Sequence, residues 1–423
     1  MSFKIETKVT PPFISQRSNK YVAFIVIFMG LIALLDQYLN LVETAIIDDI
    51  ILEYFLVNDQ TTQGFFQLWQ GIYGIIGFFV FFISWLSDAY GRRKGLLVLI
   101  LVMGIPAVLI PFTPAGPMGF HFFMILYGIV IMGTLSNVWE IPVTEESPPK
   151  KRGLYGSLAF LIGLIPIYAI IAPRIASIFS WKWAYGIMGI LMVVCLILLY
   201  FMKEPERWEC CKEERKHAAY EFIKQLKTLE RKDIILLALF SAVYVIWNMA
   251  FKMGGTGGKQ LFVFIGQKAQ FDGYILTIAG LMTMAGAVIS GVLMDKIGRN
   301  GTLVFGAIGS VISFMMLPFT ASTTPLFFWT VYFFMPIVLA WIMVYFSEMF
   351  PTKNRATCTG ILSSVSRLGY VFGPILGGFL ISTFNFHVYF IVGGFLMMLP
   401  MLVLFTKPLE AKAKTLEEIE AER

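Results

Sequence analysis

Along this chain apolar residues neither alternate with polar ones nor keep to one stripe at helical spacing. They run on for roughly 18–25 positions at a time, with short polar turns between runs. A helix apolar on every side belongs in a large core or in lipid. About 20 such residues cross a hydrocarbon layer ~30 Å thick. The runs fall at about 21–45, 66–86, 95–112, 121–143, 157–179, 183–202, 234–252, 274–294, 302–320, 326–347, 359–383 and 387–406. About twelve spans are expected, each helical because lipid offers the backbone no other hydrogen-bond partner. The predicted class is an all-α integral membrane protein with twelve transmembrane helices.

Composition agrees with that pattern. The 423 residues are 57% hydrophobic and 14% charged, against about 25% charged in a soluble domain. Lys and Arg then set an orientation. Lys4, Lys8, Arg17, Lys20, Arg92, Arg93, Lys94, Lys150, Lys151, Arg152, the stretch from Lys203 to Lys232, Lys296, Arg299, Lys353, Arg355 and the basic C-terminal tail fall on one side. Arg174, Lys182, Lys252, Lys259 and Lys268 fall on the other, whose first loop is acidic (Asp48, Asp49, Glu53, Asp59). The positive-inside rule puts both termini in the cytoplasm of a plasma-membrane protein. The net charge of +6 thus reports topology, and no nucleic-acid partner is expected. The first span is expected to insert directly, because no short apolar segment with a cleavage site precedes it. Cys195, Cys210, Cys211 and Cys358 make no disulfide framework; Cys210 and Cys211 are either acylated or an unmodified thiol pair.

The polar punctuation repeats. "TEESPPKKRG" (144–153) and "SEMFPTKNRATCTG" (347–360) each place Pro three and Arg seven residues after Glu: Glu145, Pro148, Arg152 and Glu348, Pro351, Arg355. "SDAYGRRKG" and "MDKIGRNG" repeat Asp88, Gly91, Arg92 as Asp295, Gly298, Arg299. The offsets are 203 (348 minus 145) and 207 (295 minus 88). Two motifs at nearly one offset indicate a duplicated six-helix unit, the trace of parallel repeats about an axis along the membrane normal. The expected organisation is a cytoplasmic tail (1–20), a six-helix bundle (21–202), a cytoplasmic interfacial linker (203–233), a second six-helix bundle (234–406) and a cytoplasmic tail (407–423). The linker has charges of alternating sign, with Tyr220, Ile223 and Leu226 at helical spacing, so it reads as an amphipathic surface helix.

In these motifs the chain resembles the major facilitator superfamily, in the branch of sugar porters, metabolite–proton symporters and organic-ion carriers. The pattern G-x-x-x-D-x-x-G-R is complete at Gly291, Asp295, Gly298 and Arg299, and its first copy has Ser84 in place of the leading glycine. "WKWAYGI" (181–187), "KEPERW" (203–208) and "PLEAKAKTLEEI" (408–419) are similar to further family segments. The sugar-porter segments of the seventh and tenth helices are missing from "YVIWNMAFKMGGTGG" and "FFMPIVLAWIMVYFSE". "NRATCTGILSSVSRLGYVFGPILGG" and "LLDQYL" (34–39) resemble carriers of aromatic acids and related metabolites, though Leu39 replaces a second acid. The resemblance implies the major facilitator fold, with two pseudo-symmetric bundles. It further implies secondary transport of a small organic metabolite by alternating access, coupled to protons. It implies a cytoplasmic gate of Asp88, Arg92, Glu145, Arg152, Asp295, Arg299, Glu348 and Arg355 that latches the outward-facing state, with Glu140 nearby.

Charged residues inside spans carry the candidate chemistry, because burying an ionised group in lipid is costly and such groups face cavities. Asp36, Asn40 and Glu43 share one helical face. Asp36 and Glu43 are the proton-coupling candidates. Sugar–proton symporters pair the Asp36 position with an arginine in the fourth helix; here only Tyr127 lies near that place. Arg367 reads as the only basic residue well inside a span of the second half, suited to a substrate carboxylate. Asn40, Gln70, Asn137, Trp139, Trp247, Asn248 and Trp341 are further substrate-binding candidates, as polar or aromatic groups on apolar walls. Pro166, Pro336, Pro374 and "MGGTGG" (253–258) are expected to interrupt spans.

No nucleophile motif, phosphate loop or metal-ligand spacing is present, so no enzyme, cofactor or metal is expected. The expected partners are a small-molecule substrate, a proton and membrane lipid, with the protein a monomer. A sugar porter, a passive facilitator of the same fold and a non-transporting nutrient receptor remain as alternatives.

Overall fold

The computed structural model describes residues 17–134, 136–148, 152–210, 229–350 and 355–406. The described residues contain no strand. The expected linker helix falls mostly outside them, as do residues 1–16 and 407–423 of the tails, Cys211 and the side chains of Asn137, Arg152, Cys210, Glu348 and Arg355.

Among the described residues eleven helices are long and apolar enough to cross a membrane, and a further helix of 19 residues, Gly298–Met316, lies between the eighth and the ninth of them. Helices 1 to 3 are Asn19–Phe55, Gln60–Tyr90 and Arg92–Phe112. Helix 4 comes in two pieces, Gly116–Gly133 and Glu140–Glu146, and helix 5 in two, Arg152–Gly163 and Ile167–Ile178. Helices 6, 7 and 8 are Trp181–Phe201, Arg231–Phe264 and Lys268–Lys296. Helix 9 is Gly298–Met316 and helix 10 Thr324–Glu348. Helix 11 is split into Arg355–Ser366 and Gly369–Thr383, and helix 12 is Phe386–Phe405. The first and last described residues, Arg17 and Thr406, thus lie at one face, called here the terminal face.

Local chemistry sets several of these ends. Ser18 accepts the Tyr21 N–H at the start of helix 1, and Asp59 with Thr62 closes a capping box at helix 2. Gly91 and Gly298 sit at φ 120° and 84°, turning helix 2 into 3 and helix 8 into 9. Left-handed backbone of this kind favours glycine. The repeated motif glycine is therefore a turn requirement met once in each half.

The helix limits correct several expectations. Helix 1 runs to Phe55, so Asp48, Asp49 and Glu53 belong to a helix and only Asp59 to a loop. Helix 7 runs to Phe264 with no break at 253–258, which places Lys252 and Lys259 within a span. Arg367 is accordingly not the only basic residue inside a span of the second half. The glycines there serve close packing: a Cβ would lie 2.8 Å from Phe314 at Gly254, 2.4 Å from Tyr389 at Gly257 and 2.4 Å from Phe328 at Gly258. Pro336 and Pro374 lie inside continuous helical segments, whereas Pro166 does mark a break. Among the described residues, breaks without proline also occur after Thr134 and at Arg367–Leu368.

The halves meet through related pairs: helix 2 packs on helix 11 and helix 8 on helix 5. Small residues let helices 2 and 11 approach closely. A Cβ on Gly64 would lie 2.7 Å from the Gly378 carbonyl oxygen, and one on Gly71 2.5 Å from that of Val371. At the face opposite the termini, helix 1 is bound to helices 7 and 8 by ion pairs. Lys259 lies 2.7 Å from Asp48 and 2.8 Å from Asp272, and Lys268 pairs with Asp48 and, at 3.4 Å, with Asp49. Gln67 bonds Gln260 at 2.8 Å beside them. This face is closed.

Candidate functional site

Two interrupted helices from opposite halves face each other. Helix 4 ends its first segment at Thr134, whose ψ of 158° carries the chain out of the helix and leaves terminal carbonyls without helical partners. Arg367, at the break in helix 11, donates from Nη2 to the Thr134 carbonyl oxygen at 2.6 Å. A guanidinium suits that position twice, as a donor and as a cation at the negative end of the helix dipole. Non-helical backbone at this depth persists because protein groups satisfy it.

Asp36, on helix 1, is fully buried, and Trp139 Nε1 donates to its Oδ2 at 3.3 Å. Trp139 lies in the short turn after the helix 4 break, its ring parallel to that of Phe160. Asn40 and Glu43 follow on the same helix, both buried. Gln70 of helix 2 donates to Glu43 at 2.5 Å, and the Tyr127 hydroxyl of helix 4 donates to the other carboxylate oxygen. Gln70 Nε2 also reaches Tyr127 at 2.9 Å. Tyr127, noted only because an arginine was missing near it, is thus a direct partner of Glu43.

Across the interface, Lys252 of helix 7 is 6% exposed. Its Nζ lies 3.5 Å from the Tyr127 hydroxyl and 4.8 Å from the centre of the Tyr370 ring. Arg367 lies 5.7 Å from that same ring. Asn248 donates to the Ser366 carbonyl at 2.9 Å, beside a small polar cleft lined by Tyr244, Asn248, Ser363, Ser366, Arg367 and Tyr370. Of the other sequence candidates, Trp247 stacks on Phe251 and Trp341 on Tyr345, both buried.

From the sequence, Lys252, Lys259, Lys268 and Asp48 read only as charges of one membrane side, and Asp272 stands out in no way. A signal existed: apolar positions resume after Lys259 as "LFVF", and Lys252 and Lys259 are seven residues apart, hence on one helical face.

Near the terminal face, Arg92 pairs with Asp88 and, at 3.0 Å, with Glu145, all within the first half. Glu204 accepts from the backbone N–H groups of Arg92 and Arg93 at 2.9 and 3.1 Å. Partial burial nevertheless raises its carboxyl above the usual range. Arg17 joins Glu206 at 3.2 Å. In the second half Arg299 lies 3.8 Å from Asp295, which is largely exposed. The Arg152, Glu348 and Arg355 members of the expected gate lie outside the described side chains.

The family model of the Major Facilitator Superfamily matches residues 21–345 and 269–423. The chain is 26% identical over 381 residues to a glucose transporter, GlcP, of Staphylococcus epidermidis, covering 80% of this chain and 83% of that one. It is 24% identical over 332 residues to a cis,cis-muconate transport protein of Acinetobacter baylyi, covering 74% and 77%. It is 26% identical over 411 residues to an arabinose-proton symporter of Bacillus subtilis, covering 82% and 83%. A partially occluded inward-open structure of the Escherichia coli xylose transporter XylE superposes with a TM-score of 0.73 at 17% identity, covering 94% of this chain and all of that one. That likeness shows the fold.

Proposed function

The chain belongs to the major facilitator superfamily, and on that premise we propose that it carries a small organic anion across the plasma membrane by alternating access, coupled to protons. It is a multi-pass membrane transporter and not an enzyme. The observation that carries the finer reading is the set of charges buried where the two halves meet: Asp36 and Glu43 from the first half, Lys252 and Arg367 from the second. Charged groups at this depth are retained where they serve substrate or proton. Basic groups supply what a carboxylate needs, and acids supply a place for a proton. The gate residues Asp88, Arg92, Glu145, Asp295 and Arg299, with Arg152, Glu348 and Arg355, are proposed to hold the terminal face shut when the opposite face opens. The terminal face is proposed to be cytoplasmic, in accord with the placement of Lys and Arg.

A neutral-sugar reading is favoured by the relatives that are named as glucose and arabinose carriers. A thermal-shift screen of purified protein against sugars, aromatic acids, dicarboxylates and organic cations narrows the class. Uptake by proteoliposomes with an imposed inward proton gradient then decides: accumulation of carboxylates and not sugars supports the proposal. Accumulation of sugars alone overturns it. Counterflow without gradient-driven accumulation leaves a passive facilitator, and neither activity leaves a receptor.

A further inference from the structure

Lys252 presents a buried ammonium that no carboxylate approaches within 4.0 Å among the described residues. Its nearest partners are the Tyr127 hydroxyl, at the limit of a hydrogen bond, and the face of Tyr370. The two other buried cations of the interface are differently placed: Lys259 holds Asp48 and Asp272, and Arg367 holds the Thr134 carbonyl. An ammonium has three donors and is costly to bury without an anion. Glu43 is the carboxylate one hydroxyl away, and Tyr127 lies between the two, donating to Glu43.

We propose that Lys252 is the anchor for the substrate's carboxylate and that Glu43 carries the co-transported proton, with Tyr127 linking the two and Gln70 holding Glu43 and Tyr127. This rests on the proton-coupled anion carrier proposed above and names the site within it. When a proton from the aqueous side adds to a Glu43 oxygen, that carboxylate loses its charge. Lys252 is then the uncompensated group, and an incoming carboxylate replaces the lost negative charge. Proton and anion enter together because each alone leaves an unbalanced charge in a buried place. When the anion departs, the ammonium again favours ionised Glu43 and the proton leaves. The other titratable groups that face Glu43 are Tyr127 of helix 4, Tyr185 of helix 6 and Tyr389 of helix 12. Arg367 and Tyr370 of helix 11 face Lys252. Among these described groups Glu43 is the carboxylate, held by Gln70 and Tyr127.

The test uses full-length protein in proteoliposomes with labelled cis,cis-muconate, benzoate and D-glucose as probes. For wild type, gradient-driven uptake of a carboxylate is expected, and its affinity should rise by up to about tenfold per pH unit lowered where Glu43 of the empty carrier is ionised, one proton per anion. In Glu43→Gln the ratio of gradient-driven uptake to counterflow should fall at least tenfold, and the pH dependence of affinity should flatten. Lys252→Met should weaken carboxylate binding at least a hundredfold, with Lys252→Arg restoring part of it. Thermal unfolding of each variant, compared with wild type, distinguishes misfolding from lost binding. Should wild type accumulate a carboxylate while Glu43→Gln keeps its gradient dependence, or Lys252→Met its affinity, this assignment fails and the carrier reading stands. Should wild type accumulate no carboxylate under a gradient, both fail together.

Discussion

Arg367 shows how a single side chain ties a fold to its working parts. Its guanidinium spans from the broken helix 11 to the broken helix 4, closing a carbonyl that has no helical partner. A charge-assisted hydrogen bond of this kind is worth about 1.5–3 kcal/mol. Arg367→Met is expected to lower unfolding free energy in detergent by that amount, and Arg367→Lys by less. A loss below about 0.5 kcal/mol would mean that water serves the Thr134 carbonyl equally well. Asp36, Asn40, Glu43 and Arg367 were visible in the sequence because a charged or strongly polar residue in an apolar run stands out. Lys252 was not, because "MGGTGG" directly after it reads as a break and moves the lysine to the membrane surface. In the folded chain those glycines seat aromatic rings instead, and the helix continues.

Helices 2 and 11 lock together through glycines rather than through interdigitating side chains. At Gly71 a Cβ would come within 2.5 Å of the Val371 carbonyl oxygen, so a larger residue cannot be accommodated without parting the helices. Gly71→Leu is expected to keep the face opposite the termini open. Cysteine labelling from that side, at a position such as Gly378, should accelerate at least tenfold in a stably folded variant; unchanged labelling would mean that the helices shift without opening. Gly91 makes the same point at a turn, with φ at 120° and Glu204 oxygen 2.5 Å from where a Cβ would sit. Gly91→Ala is expected to cost about 1–3 kcal/mol in backbone strain alone, read from denaturant unfolding.

For the molecule entire, the closed face depends on buried charges shared between halves. Lys259 pairs with Asp48 across the interface and with Asp272 within its own half, each side of the first pair being almost fully buried. Removing one partner of a buried pair costs about 3–5 kcal/mol because the other charge is left exposed to a low dielectric. The cost falls on the closed arrangement alone, since opening admits water. Lys268 still faces Asp48 when Lys259 is removed, so Lys259→Ala is expected to realise part of that cost and move the population toward the opposite opening by at least about tenfold, at 1.4 kcal/mol per tenfold. Distances between spin labels placed across the closed face would lengthen. If they do not, some other contact seals that side.

Spans, class and the twofold repetition were legible in the residues alone, because lipid imposes one rule on every backbone group and the duplicated turns keep Gly91 and Gly298 in step. Helix ends were less so. Asp48, Lys252 and Lys259 look like surface charges when each run is judged separately, and only their partners from the other half make them interior. A pair between residues some two hundred positions apart leaves no mark in a local window of sequence. The packing of one half against the other is what turns scattered charges into a sealed face and a candidate site.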